Sequence, residues 1–391
     1  MNEILKYIAE KTDGQTFASH RFCYDTELKL PSLSYDDPHN QDFTMDSEKF
    51  GETDTSLIKP KNLLHLAIQV QKEKPLFTFF LDGSRKIYKI DDIEYQKRIF
   101  PIVGGQIAVA CCEREKPDSF KKTIVESHLV MSLPSLATTG EHNKDLFLNN
   151  LVENINKTPK FQKLNIQFSE ILTYVSDKTT DIEEYFNRGQ AKIQDKMIEC
   201  EKKVVHDLAS KNLLNQDNYL IKDGSLQYAK SNYGVTDFKE LAKIANNYRR
   251  VIGVSKSFNP EFSKNKKGHS NASVIANLGL YHRTPATKYK SDRVGDVFFS
   301  IWYVRIREAQ YTASPFAGIL KIEKILCTEE ERENGLDSSE IDLITANIIN
   351  ERNPVCYGKD QRWANHLYPI YLVESYLKSR YLSDLHFINL F

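Results

Sequence analysis

Two aspartates each follow a short apolar segment and are followed in turn by Gly-Ser, a pattern suited to metal chemistry. Asp82 comes after residues 76–81, and Asp223 comes after residues 219–222. Ligand sites in open α/β sheets form at strand ends, so carboxylates at the tips of neighbouring strands would lie close together. Two such charges repel unless a cation lies between them, which favours Mg²⁺ or Mn²⁺. The alternative is that each Asp-Gly pair is only a turn.

A third carboxylate is expected from the helix predicted over residues 181–208, and helical spacing favours Glu201 over Glu199. Glu201 has Met197 at i−4 and Val204 at i+3, so it lies on or beside the apolar stripe that faces the sheet. Glu199 lies among charged residues on the solvated face. A carboxylate on the apolar side must be neutralised by a partner or a metal. Pairing of Glu201 with a nearby lysine is the alternative.

Lys256 ends another apolar segment, residues 251–255, and would lie beside the acids if this strand neighbours that of Asp223. A cation at that place can hold a scissile phosphate or stabilise the charge that develops on it. The alternative is a solvated lysine at a strand end.

Residues 257–293 are predicted as a long polar loop that binds nucleic acid. Tyr281, His282 and Tyr289 are interleaved among its basic residues, a composition that suits phosphate contacts and base stacking. A solvated loop is the alternative, since charge runs are often only surface. The predicted nucleic-acid contacts are Lys256, Lys264, Lys266, Lys267, Arg283, Lys288, Lys290 and Arg293.

The elements that must position these residues follow the order of a ribonuclease-H-like α/β layer. Apolar alternation and periodicity predict an antiparallel meander of three strands, continued by two parallel strands with crossover helices. Strands are predicted at residues 76–81, 99–112, 124–132, 219–222, 250–256, 297–306 and 318–325. Helices are predicted at residues 2–11, 59–72, 181–208, 236–248, 338–351 and 370–382. The sheet is thus expected to be mixed, with flanking helices.

Two further regions are expected to be additions to this layer. Residues 1–70 are predicted to form an N-terminal arm that contacts a partner or a second copy of the chain. Residues 133–180 carry a mixed signal and are interpreted as an insertion.

Composition limits the function classes. The 391 residues contain 53 Lys and Arg against 53 Asp and Glu, which excludes a uniformly basic DNA-coating protein but allows a local basic groove. The longest apolar runs, such as residues 107–112, are far too short to span a membrane, and the N-terminus does not resemble a secretory signal. None of the six cysteines forms a C-x-x-C pair, so a reduced cytoplasmic protein without a zinc knuckle is expected.

In their order and spacing, these segments resemble the NurA nucleases. The resemblance rests on Asp82-Gly83-Ser84 after a strand, the helix bearing Glu201, residues 220–226 around Asp223, residues 251–256 ending at Lys256, and residues 367–372 before the closing helix. It implies a ribonuclease-H-like nuclease domain over residues 71–391, with Mn²⁺ or Mg²⁺ as cofactor and activity on DNA ends and single strands. The implied metal ligands are Asp82, Glu201 and Asp223, and Lys256 is the implied phosphate contact.

The same resemblance implies a further active-site residue on the closing helix, seven positions after the proline of a Tyr-Pro pair. That position is Tyr376, where many members of the family carry histidine or aspartate, so Glu374 or His366 could take the role instead. The family also implies a ring-shaped homodimer that docks on a hexameric HerA-type ATPase, in DNA end processing or in defence against foreign DNA. The chain has no G-x-x-x-x-G-K-[ST] motif, so a separate ATPase is expected to power movement along DNA.

Two other functions remain open from the sequence. One is a non-catalytic nucleic-acid-binding or assembly module on the same fold, in which the Asp-Gly turns bind no metal. The other is a guide-dependent Argonaute-like protein, for which the chain is short. A serine hydrolase is not supported, because no G-x-S-x-G is present.

Overall fold

The computed structural model describes residues 3–16, 43–177, 182–227, 238–264, 268–291, 297–309, 312, 315–352 and 365–391. Its strands are β1 (Gln15–Thr16), β2 (Phe43–Phe50), β3 (Lys61–Asn62), β4 (Phe77–Tyr95), β5 (Arg98–Lys116), β6 (Ser119–Pro134), β7 (Glu170–Tyr174), β8 (Tyr219–Asp223), β9 (Val251–Ser255), β10 (His282–Arg283), β11 (Thr287–Ser291), β12 (Val297–Arg305) and β13 (Ile319–Ile325). Its helices are α1 (Glu3–Lys11), α2 (Leu64–Val70), α3 (Lys144–Asn156), α4 (Pro159–Leu164), α5 (Ile182–Ser210), α6 (Phe238–Tyr248), α7 (Ala272–Ala276), α8 (Glu329–Asn334), α9 (Ser338–Asn350), α10 (Tyr368–Ser379) and α11 (Asp384–Ile388).

These strands form one mixed sheet, and its centre confirms the predicted ribonuclease-H-like order. The main path runs β2-β11-β12-β13-β9-β8-β4-β5-β6-β7. Strands β4, β5 and β6 are antiparallel, β8 pairs with β4 in parallel, and β9 pairs with β8 in parallel. Helix α5 precedes β8 and α6 connects β8 to β9, so helices join the parallel strands as expected.

Strand β4 is much longer than predicted and does not end before Asp82. It spans 19 residues, and Asp82 pairs with Ala110, Gly83 with Val109 and Ser84 with Ala108 of β5. The Asp-Gly pair at this position is therefore inside a strand, because β5 supplies hydrogen bonds along its whole length. At Asp223 the turn interpretation is correct: β8 ends there, and Gly224 has φ +81°.

Apolar side chains cover both faces of the sheet. On one face, Phe79 and Leu81 of β4 pack with α5 residues such as Val204 in one buried cluster. On the other, Phe80 packs in a second cluster with α9 and α10, where Val373 is buried. Full burial of each such side chain contributes about 1.5–3 kcal/mol. The two clusters therefore fix how α5 lies on one face of the sheet and how α9 and α10 lie on the other.

The N-terminal region and the predicted basic loop are built into the same sheet. Strand β2 pairs with β11, and β3 pairs with β10, so residues 43–62 extend the sheet at one edge. Residues 257–293 are predicted to form one long loop, but the structure shows that they contain α7, β10 and β11. The partner-contact role of the N-terminal arm stays a prediction.

Residues 133–177, predicted as an insertion, contain α3, α4 and the sheet-edge strand β7. Among the helices that the structure describes, none combines the length and the apolar character needed to cross a bilayer.

Candidate active site

Asp82, Glu201 and Asp223, which are far apart in the sequence, line one cavity of about 540 Å³. The cavity lies where the parallel strands β8 and β9 end while β4 continues. In the β4–β8 pairing Leu81 is opposite Lys222, so Asp82 and Asp223 follow one position later on adjacent strands. Glu374 of α10 also lines the cavity. The sheet topology therefore brings four carboxylates to one place.

The carboxylates approach the cavity from both faces of the sheet. Strand alternation places Asp82 on the side of Phe80, which is covered by α10, and Gly83 on the side of Leu81, which is covered by α5. Glu201 reaches the cavity from α5, directly over Gly83.

Gly83 gives Glu201 the room to approach the sheet. A Cβ atom built on Gly83 would overlap Glu201 Oε1 and would lie 3.1 Å from its Cδ. Any other residue at this position would push the carboxylate away from β4. The second residue of the Asp-Gly pair is thus explained by a close approach in the site rather than by a turn.

Lys256 ties together the carboxylates on the α10 side. Its Nζ donates to Asp223 Oδ2 at 2.9 Å and to Glu374 Oε2 at 3.2 Å. Burial opposes a charge on this lysine, but the carboxylates of Asp223, Asp82 and Glu374 raise its pKa, so it is held as the ammonium ion. Lys378 adds a second, half-exposed cation 2.7 Å from Glu374 Oε1.

Lys222 has the corresponding role on the α5 side. Its Nζ lies 3.0 Å from Glu201 Oε2 and donates to the backbone oxygen of Asp223 at 2.8 Å. Burial raises the pKa of Glu201, Lys222 opposes that rise, and Asp223 adds to it. Glu201 therefore does pair with a lysine, but the partner is Lys222 of β8 and not a neighbour on its own helix, and the pair lines the cavity.

Asp82 is buried among the other carboxyl groups of the cluster. Only 4% of its surface is exposed, and burial raises its pKa well above the usual range. Asp223, Glu374 and Glu201 raise this pKa further, and Lys256 is the cation that opposes them. A buried acid in such surroundings is either protonated or neutralised by a further cation.

The donor set of the cavity fits a hard divalent cation. Carboxylate oxygens are the ligands that Mg²⁺ and Mn²⁺ prefer. Lys256 does not fully offset the burial and the neighbouring carboxylates at Asp82, so an added cation is electrostatically favoured there. Because Gly83 has no Cβ atom, Glu201 can come close to the same place. The predicted ligands Asp82, Asp223 and Glu201 line the cavity with Glu374. No three of these described carboxylates have ligand atoms within 4.8 Å of one another, so binding of an ion there requires side-chain movement and stays a prediction.

The fourth predicted site residue, Tyr376, does not line this cavity. Its ring packs beside the cluster around α9 and α10 and lies 5.8 Å from Lys122 Nζ. Tyr376 is two positions after Glu374 on α10. Side chains two positions apart on a helix point about 200° away from each other, so Tyr376 points away from the side of Glu374. His366 is buried against the ring of Tyr371 and also lies outside the cavity lining. Of the three residues considered, Glu374 reaches the site.

The residues predicted to contact nucleic acid do not lie together, and the structure corrects the prediction for two of them. Arg283 is fully buried, with Glu52 and Asp342 as its ion-pair partners at 2.8 and 2.6 Å. Lys288 is 1% exposed, donates to the backbone oxygen of Arg332 and lies over the Phe298 ring. Neither side chain faces solvent, so neither forms part of a surface for DNA.

The other predicted contacts have different outcomes. Lys264 is exposed, and Lys290 is half-buried near Phe298. Lys266, Lys267 and Arg293 lie outside the described residues. Lys256 is buried within the acidic cluster and not on the surface.

Lys222 and Glu323 support the site but are not among the residues predicted from the sequence. Glu323 is completely buried on β13 and accepts hydrogen bonds from Ser225 Oγ at 2.8 Å and Leu226 N at 2.9 Å, while Lys321 lies 2.5 Å from its other oxygen. These contacts fix the turn after Asp223, which lines the cavity. The charged residues within apolar strands at both positions were the available signal.

No family model and no curated protein matches the chain. Among solved structures, the chain is similar to the NurA nuclease from Sulfolobus solfataricus, with a TM-score of 0.40 and 9% sequence identity. The likeness covers 84% of this chain and 91% of that chain. A TM-score this low assigns neither a family nor an activity to the chain.

Proposed function

We propose that the chain is a divalent-metal-dependent nuclease that hydrolyses phosphodiester bonds at DNA ends and in single strands. The observation that carries the proposal is the convergence of Asp82, Glu201, Asp223 and Glu374 at one cavity, with Asp82 left under-compensated by cations. A cluster of this kind at the ends of parallel strands is where an α/β sheet binds its ligand. Mn²⁺ or Mg²⁺ is the expected cofactor, because the proposed ligands are all carboxylates.

The chain's own residues prepare the site for this reaction. Lys256 holds Asp223 and Glu374 in fixed orientations, and Lys222 does the same for Glu201. Among the described residues, Lys256 donates to Asp223 and Glu374, which uses two of the three donors of its ammonium group and leaves one for a phosphate oxygen. Bound metal would supply activation of water and stabilisation of charge on the phosphate.

The rest of the cavity suits a nucleic-acid strand without strong sequence preference. Gln190 and Gln194 line it from α5, and Ser225 and Gln227 line it from the turn after β8. These side chains are uncharged hydrogen-bond partners that can contact sugar and phosphate oxygens or base edges. Arg85 of β4 adds a cation to the lining.

The partners and the location belong to the same proposal. A homodimer, a HerA-type hexameric ATPase and a cytoplasmic site of action are supported by the motif resemblance alone. Co-purification of the chain with such an ATPase tests the partnership, and full activity on long duplex DNA without any motor would oppose it.

The test is a metal-dependence assay on 5′-labelled single-stranded and duplex DNA. We expect cleavage with Mn²⁺ or Mg²⁺, no cleavage with EDTA, and loss of cleavage in Asp223→Ala. Asp217→Ala is the matched control, because Asp217 is exposed just before the other end of β8 and should retain activity.

A non-catalytic nucleic-acid-binding module is the second candidate. It is favoured by one observation: Lys222 and Lys256 already neutralise part of the acidic cluster. Gel-shift binding of DNA by the wild type, with no cleavage in any metal, alone or with the motor, would select this function.

A further inference from the structure

A second group of metal-ligating side chains lies outside the acidic cavity. Glu126 and His128 are two positions apart on β6, so their side chains point to the same face of the sheet. They face Cys200 of α5, and one ligand atom from each of the three residues lies within 4.8 Å of the others. Among the residues that the structure describes, no other group of three His, Cys, Asp or Glu side chains meets this criterion.

We propose that Glu126, His128 and Cys200 form a Zn²⁺ site that fastens α5 to β6. The proposal does not depend on the nuclease function.

The donor set and its spacing fit zinc. Thiolate, imidazole and carboxylate are the three ligand types that proteins offer to Zn²⁺. His128 Nε2 and Glu126 Oε2 are 3.7 Å apart. Two tetrahedral ligands at about 2.0–2.1 Å from zinc are separated by about 3.4 Å, so a small side-chain adjustment is sufficient. Water would take the fourth position, since the described residues supply three ligands here.

The surroundings leave the ligand atoms available to an ion, since His128 Nε2 is buried without a hydrogen-bond partner among the described residues. Lys203 binds the other carboxylate oxygen of Glu126, Oε1, at 2.6 Å, and its half-exposed side chain is free to move. Glu126 and His128 are partly exposed, so an ion can enter from solvent, while Cys200 closes the site from the core. Zinc binds the thiolate, so binding at Cys200 releases the thiol proton to solvent.

The position of the site gives it a structural consequence. Cys200 immediately precedes Glu201, which lines the acidic cavity. An ion shared by α5 and β6 would fix the rotation and height of this helix above the sheet. Zinc here therefore acts as a clamp on the helix that delivers Glu201.

Cobalt is the probe for the test, because a Co²⁺–thiolate bond gives a charge-transfer absorption band that carboxylate ligands do not give. Metal-stripped full-length protein is titrated with Co²⁺ and then with Zn²⁺. We expect a thiolate band that saturates near one equivalent and is lost when Zn²⁺ displaces the cobalt. His128→Ala and Cys200→Ser should remove the band and weaken Zn²⁺ binding more than about tenfold, since even an outer partner of a ligand is worth 10–100-fold.

Two controls make the result specific. Cys327→Ser changes another buried thiol, outside the cluster, and Asp223→Ala changes the acidic cavity, so both should keep the band. If Cys200→Ser fails to fold, Glu126→Gln, at a partly exposed position, replaces it with the same expected loss of zinc affinity. Absence of the band in wild type, or its persistence in His128→Ala, overturns the proposal.

Discussion

Substitution of Gly83 by alanine separates the geometry of the site from the stability of the fold. The new Cβ would overlap Glu201 Oε1 and would lie 3.1 and 3.3 Å from its Cδ and Cγ. To regain an ordinary van der Waals distance, the carboxylate must retreat by roughly 1 Å. A misplacement of about 1 Å at a catalytic group can reduce the rate on the order of 100-fold.

Stability should change little in the same variant. The atom that must move is the end of a flexible side chain beside a cavity, and alanine loses less conformational entropy than glycine on folding, by about 0.5–1 kcal/mol. We therefore expect a free energy of unfolding within about 1 kcal/mol of wild type. Cleavage of 5′-labelled DNA with Mn²⁺ should fall about 100-fold.

Gly104→Ala is the matched control on the adjacent strand. A Cβ at Gly104 would overlap Ile90 Cδ1 and would lie 3.1 Å from the Phe387 ring, in a core that cannot retreat into solvent. Overpacking of this kind costs about 1–3 kcal/mol of stability. Gly104→Ala should thus lose stability and keep its activity per folded molecule. The reasoning fails if Gly83→Ala cleaves DNA at the wild-type rate, or if it loses as much stability as Gly104→Ala.

Three further predictions concern other contacts of the described residues. Glu374→Gln removes a carboxylate held by two lysines and should lower cleavage about 10–100-fold, whereas Tyr376→Phe, outside the cavity, should not change kcat. Arg283→Met leaves the buried carboxylate of Glu52 without its cation, while Asp342 keeps Lys61, and should cost about 3–5 kcal/mol in urea unfolding. Lys264→Met, at an exposed position, should cost less than about 0.5 kcal/mol. Hydrogen bonds from Lys86 and, to a smaller extent, Tyr88 lower the pKa of Asp384. The contribution of Asp384 to the stability of the fold is therefore present above its unfolded pKa and is lost as the pH falls through its folded pKa. Asp384→Asn should therefore cost less than about 1 kcal/mol at neutral pH, and the difference from wild type should vanish in acid.

The central strands and helices were predictable because their apolar patterns are strong. The predicted helix at residues 181–208 corresponds to α5 (Ile182–Ser210), and the predicted strand at residues 297–306 corresponds to β12 (Val297–Arg305). The elements that were not predicted contain polar residues that are buried because another part of the chain supplies their hydrogen-bond or ion-pair partner. Strand β11 contains Lys288, which is predicted from the sequence to contact nucleic acid but is buried in the structure. Sequence composition reports charge, but it does not report whether a distant strand or helix supplies the partner.

The place of the acidic site was predictable for a topological reason. Parallel strands β8 and β9 end at Asp223 and Ser255, while β4 continues past Asp82 because β5 pairs with it. The sheet therefore has a notch beside β4, and the side chains at the strand ends border it. The rule that ligands bind at such strand ends identifies Asp223 without any knowledge of the helices. Asp82 borders the notch because it lies beside Asp223 on the adjacent strand, although β4 does not end there.

The contributions of the helices were only partly predictable, because helix rotation is set by packing on each face. Glu201 could be chosen since α5 has a clear apolar stripe on which the glutamate lies. On α10, Pro369, Ile370, Val373 and Leu377 are buried, and Glu374 lies on the same side as this stripe. The same periodicity would have favoured Glu374 over Tyr376, had it been applied instead of a family position. Both glutamates thus reach the notch for one reason: each lies on the buried side of a helix that crosses a sheet at the point where two of its strands end.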